Sequence, residues 1–197
     1  MTLSSLVRPR ALGAASLLLV AGSAWAHPGH EVAGGGFAAG LTHPLFGLDH
    51  LLAMLAIGLF SMRQAASMGR LVPLLAVGGM LLGAGLGWAG VALPGVEFGI
   101  ALSVLLAGVL VAALVRVPAA LGSIAVVAFM VFHGHAHAAE MPHGASTLLY
   151  LAGFSLATLA LTYVGRRVSG WLLAREQRVL RGLGVVIAAM GALFAFG

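Results

Sequence analysis

From Leu71 to Val115 the chain carries a single charged residue, Glu97, and further apolar runs lie on either side. A water-soluble fold cannot be built around such runs, because about a quarter of a soluble domain is normally charged. Here 8% of the 197 residues are charged, 61% are hydrophobic, and mean hydropathy is +1.09. The solvent for most of this chain is therefore lipid. In lipid only helices and closed barrels satisfy their own backbone hydrogen bonds, and continuous apolar runs exclude a barrel strand's alternation. The expected fold class is all-α: a polytopic membrane helix bundle, with six transmembrane helices after a cleaved signal peptide.

The leader is expected over residues 1–26 and the six-helix membrane domain over 27–197. Arg8 and Arg10 precede an apolar core from Ala11 to Gly22, and Ala24-Trp25-Ala26 follows. A basic start, a short apolar core and an A-x-A site define a secretory signal. The core falls short of the roughly 20 residues a span requires. Cleavage after Ala26 would leave His27-Pro28-Gly29-His30-Glu31 outside the cytoplasm. Pro28 has no amide proton, so this segment cannot form the square-planar site that uses consecutive deprotonated amides, and it reads as a weak capture feature.

Apolar periodicity predicts spans at 38–61, 71–92, 97–115, 118–139, 146–165 and 179–196. With the mature N-terminus outside, the cytoplasmic connections hold Arg63 and Arg70, then Arg116, then Arg166, Arg167, Arg175, Arg178 and Arg181. Every arginine of the mature chain then lies inside, as the positive-inside bias demands. Both termini would be periplasmic and the bilayer would be the bacterial inner membrane. The stretch 166–181, with Trp171, Leu172 and Leu173, is expected to lie along the cytoplasmic interface. Gly79, Gly83 and Gly87 recur every four residues, a spacing that lets helix backbones approach closely.

Absences narrow the chemistry. There is no Cys, which excludes disulfides, thiolate sites and a cysteine nucleophile, and no Lys, which excludes Walker-A phosphate binding and Schiff bases. The pI of 11.4 reflects loop arginines on a membrane protein, so no nucleic-acid partner is implied.

All eight histidines fall within 27–50 and 133–143, together with Glu31, Asp49 and Glu140. In the expected topology both regions sit at the outer ends of the first and fourth spans. Ionisable groups inside a span cost roughly 2.5–3.5 kcal/mol each, so they face the bundle interior and have partners. The candidate metal ligands are His43, Asp49, His50, His133, His137 and Glu140. His133 and His137, at i and i+4, share a helix face, and Glu140 joins them at i+7. His43 and His50 also share a face, yet a straight helix separates them by about 10 Å. They would mark successive stations unless Pro44 kinks the helix. His135 projects to the opposite side, and His27, His30 and His143 read as polar surface residues. Glu97 reads as an interface carboxylate. Imidazole with carboxylate suits Ni, Zn, Cu or Fe in the divalent state.

At these residues the chain resembles the HupE/UreJ family, nickel permeases associated with hydrogenase and urease maturation. The pattern His-x5-Asp-His stands as His43 through Asp49-His50. The pattern Phe-His-Gly-x-Ala-His-x-x-Glu stands as Phe132-His133-Gly134, Ala136-His137 and Glu140, with Ala138 where the family commonly has Gly. The resemblance implies a secondary transporter that imports Ni2+, with Co2+ as a second candidate. It also implies no ATPase subunit, no permanently bound cofactor and no catalytic residue. Partners would be the divalent ion as substrate and the bilayer; the sequence is silent on oligomeric state. The same residues leave open a membrane metalloenzyme, a haem-binding carrier on His50 and His133, or a metal-binding accessory protein.

Overall fold

The computed structural model describes residues 35–197. The leader expected over 1–26, and His27, His30 and Glu31, lie outside them. Among the described residues there are seven helices and no strand: α1 (Gly35–Phe46), α2 (Leu48–Ser61), α3 (Ala66–Trp88), α4 (Val96–Ala113), α5 (Ala119–Ala139), α6 (Thr147–Arg175) and α7 (Gln177–Phe196). Helices α3 to α7 are each long and apolar enough to cross a membrane, and α1 with α2 make a sixth span if counted together. The chain is a multi-pass membrane protein.

The first expected span, 38–61, is not one helix. It breaks at Gly47 and bends by 78°. Pro44 lacks the N–H that would bond to Gly40, which weakens the helix just before the break. Gly47 then takes an extended conformation (φ −75°, ψ 106°) and α2 restarts at Leu48. Backbone outside a helix is tolerated at membrane depth only where protein buries it or it lines a cavity.

The fifth expected span, 146–165, also needs correction. α6 continues without interruption to Arg175, and only Glu176 separates it from α7, so residues 166–181 form no separate interfacial segment. Leu172 is buried in the core and Leu173 packs beside it, so the helix beyond Arg166 and Arg167 remains part of the bundle.

Small residues set the packing. Gly79, Gly83 and Gly87 of α3 face α5: a Cβ at Gly83 would collide with the Val131 carbonyl, and one at Gly87 would stand 2.8 Å from Ala138 Cβ. Gly134 of α5 answers from the other side, against the Met80 carbonyl. The extra methyl of Ala138 is therefore accommodated by Gly87. α1 lies on the start of α6 through Gly36, Gly40 and Gly153, while Gly108, Gly184 and Gly191 join α4 to α7. α2 sits at the centre, in contact with α1, α3, α4, α6 and α7.

The arginine-rich end of the bundle is tied by main-chain carbonyls. Arg63 Nε donates to Leu114 O (3.2 Å), Arg116 Nε to Arg63 O (3.1 Å) and Arg181 Nε to Ala112 O (2.9 Å). Arg166 reaches across to Ser61 Oγ (2.8 Å) and to the Gly69 carbonyl. That carbonyl is free because residue 73, its helical partner four positions on, is proline. One side chain thus pins α6 to both α2 and α3.

Candidate metal centre

The helix break and the glycine-packed α5 deliver histidines to one place, at the end of the bundle opposite the arginines. No close backbone pairing joins α2 to α5. Imidazoles fill the gap instead: the ring centroids of His50 stand 4.8 Å from those of both His133 and His137. His43, at the end of α1, adds its ring 4.7 Å from His137 and 5.7 Å from His50. The 78° bend therefore cancels the 10 Å axial separation expected of a straight helix, and His43 stands beside His50 rather than a station away.

Exposure grades inward. The side chains of Glu140 and His43 are 45% and 30% exposed, whereas His50 is 3% exposed and His133 and His137 are fully buried. Glu140 lies just past the end of α5 and contacts His43 Nε2 (2.7 Å), so it belongs to the mouth and not to a three-ligand set with His133 and His137.

Each buried imidazole has one nitrogen engaged and the other bare. His50 Nδ1–H donates to Asp49 Oδ1 (2.9 Å), and the same oxygen accepts from the His50 amide (2.7 Å). The Ser103 hydroxyl donates to Ile100 O (2.6 Å), so its oxygen accepts from His133 Nε2–H (2.9 Å). His137 Nδ1 meets the Tyr150 hydroxyl (3.3 Å), and Phe154 stacks on the ring with centroids 4.9 Å apart. His50 Nε2, His133 Nδ1 and His137 Nε2 are left buried with no hydrogen-bond partner among the described residues. An unpaired buried polar atom costs about 1–3 kcal/mol, so three together need a reason. One nitrogen held by an oxygen and the other left as a lone pair is the arrangement of metal-binding histidines. A nitrogen from each of His43, His50 and His137 lies within 4.8 Å of the other two. The α1 carboxy terminus also ends here, and its carbonyl dipoles favour a cation.

Asp49 acts on His50 from the first turn of α2, through its bond to Nδ1. His135 leaves the cluster and bonds Val91 O (2.9 Å), in keeping with its opposite projection. His143 and Glu97 are exposed. Sequence reasoning missed Ser103, Tyr150 and Phe154. A serine inside an apolar span and two aromatics near a helix start carry no local signal, since only the tertiary fold sets them against histidines.

The sequence model of the family described as "HupE / UreJ protein" matches residues 15–194. Protein HupE of Rhizobium leguminosarum bv. viciae is 39% identical over 163 residues, covering 82% of this chain and 85% of that protein. No solved structure matches. With the family match running through nearly every helix and both histidine segments, this chain belongs to the HupE/UreJ family.

Proposed function

We propose that this protein is a permease that imports Ni2+, with Co2+ as a competing substrate, across the bacterial inner membrane to supply nickel enzymes. The HupE/UreJ family is an accessory and transport family associated with nickel and cobalt uptake for hydrogenase and urease. The observation that carries the reading for this chain is the set of three buried, unpartnered imidazole nitrogens. They offer borderline nitrogen donors to a divalent ion with no thiolate to draw Cu(I).

A hydrated ion meets Glu140 and His43 at the half-exposed mouth, then exchanges water for His50 and His137, with His133 deepest. Asp49 offsets part of its charge through His50. About 3.4 Å would separate nitrogens around a tetrahedral ion with bonds near 2 Å. The wider spread here, up to 4.8 Å, suits transient holding better than a closed resident site. The histidine end faces the periplasm and the arginine end the cytoplasm, following the positive-inside bias.

The test is radiolabelled nickel uptake into proteoliposomes. Wild-type protein is expected to accumulate Ni2+ under an inside-negative potential, with cobalt competing. A divalent cation gains about 4.6 kcal/mol per 100 mV, roughly three orders of magnitude in equilibrium accumulation. Alanine at both His50 and His133 should abolish the uptake. Unchanged accumulation in that double variant, or none in the wild type, would defeat the proposal.

A further inference from the structure

The arginine end has chemistry of its own. All eight arginines from Arg63 to Arg181 gather there, with Glu176 as the one carboxylate among them. Among the described residues none of them forms an ion pair. Arg166 spends a single terminal nitrogen on Ser61 and Gly69, which leaves Nε and its other terminal nitrogen without an acceptor among the described residues. Arg167 is exposed and makes no side-chain hydrogen bond among the described residues. Both line a cavity of about 540 Å³ together with Met62, Tyr163, Gly170 and Trp171.

The walls of this cavity match a particular ligand. Tyr163, Arg167, Gly170 and Trp171 fall on one face of α6, at i, i+4, i+7 and i+8, with Met62 closing the side from the end of α2. Tyr163 and Trp171 are about half exposed, and Arg175 lies over the Trp171 ring at 5.3 Å. Amphipathic rings of this kind settle at the headgroup level of a bilayer. The groove is therefore cationic where phosphates lie and apolar where acyl chains begin.

We propose that it binds an anionic glycerophospholipid. The headgroup phosphate accepts from the unspent donors of Arg166 and from Arg167, and an acyl chain runs past Tyr163 and Met62. A free phosphate shares the charge but would leave the apolar walls uncovered. Each arginine engaged near a membrane surface is worth about five-fold in affinity for an anionic lipid.

The experiment uses the full chain with Trp25 and Trp88 replaced by Phe, so that Trp171 alone fluoresces. The protein is reconstituted in phosphatidylcholine vesicles containing a small fraction of either brominated phosphatidylglycerol or brominated phosphatidylcholine. Brominated phosphatidylglycerol is expected to quench Trp171 at a roughly twenty-fold lower mole fraction, the product of two arginines. Arg167→Gln should reduce that preference by about five-fold. Arg178→Gln, at the same end but outside the groove, should preserve it. Equal quenching by the two lipids overturns the proposal, and so does a preference that survives Arg166→Gln and Arg167→Gln together. Relief of quenching by millimolar inorganic phosphate would also overturn it, in favour of a free anion.

Discussion

Alanine in place of His137 is expected to lower nickel affinity by at least about a hundred-fold and to abolish nickel accumulation. His137 is fully buried, Phe154 and Tyr150 fix its ring, and its Nε2 has no partner. Loss of a residue that merely orients a ligand already costs 10–100-fold in metal affinity, so loss of a ligand should reach or pass the upper end. His135 supplies the internal comparison. It sits two residues away on the same helix, but its Nε2 is committed to the Val91 carbonyl. His135→Ala should therefore leave nickel binding within about two-fold. Calorimetric titration of the purified variants measures both. Equal losses at the two positions would mean that the motif region serves the fold and not the ion.

Valine at Gly134 should produce the largest loss of stability. A Cβ there would collide with the Met80 carbonyl and carbon, which are backbone atoms and cannot swing aside. α5 would have to move off α3, carrying His133 and His137 away from His50. Overpacking of this kind costs about 1–3 kcal/mol, or more where no side chain can yield. The thermal midpoint in detergent should fall by several degrees, and nickel binding should be lost with it. Gly78 and Gly85, on α3, have open space around them. Alanine at either should leave the midpoint unchanged or raise it slightly, since Gly inside a helix costs about 0.5–1 kcal/mol relative to Ala. A stable Gly134→Val variant that still binds nickel would show that the α3–α5 packing does not set the histidine geometry.

The two variants mark what the sequence made legible. The apolar runs and arginine spacing are one-dimensional signals, and most helix ends agree with them to within a few residues. The exceptions have local causes. The 38–61 run reads as continuous because Pro44 and Gly47 lie in an otherwise apolar, helix-forming segment. Hydropathy cannot register a 78° bend. α6 continues past Arg166 and Arg167 because apolar residues resume beyond them, and Leu172, with Leu173 beside it, packs back onto the core of the bundle. For the site, the six candidate ligands could be picked out by the cost of polar groups in lipid. Their grouping could not: the i, i+4, i+7 rule attached Glu140 to His133 and His137, whereas the helix stops at Ala139 and Glu140 turns to His43. Ser103 and Tyr150, which hold the imidazoles in place, come from helices that no motif connects to them.

Imidazoles from α1, α2 and α5 are placed to hold one divalent ion between them. Nickel K-edge X-ray absorption on purified protein with one equivalent of Ni2+ tests this directly. The expected spectrum carries the multiple-scattering signature of at least three imidazoles with nitrogens about 2 Å from the metal, reduced by one in His50→Ala. A shell of oxygen ligands alone, or the same imidazole count in wild type and variant, would contradict it.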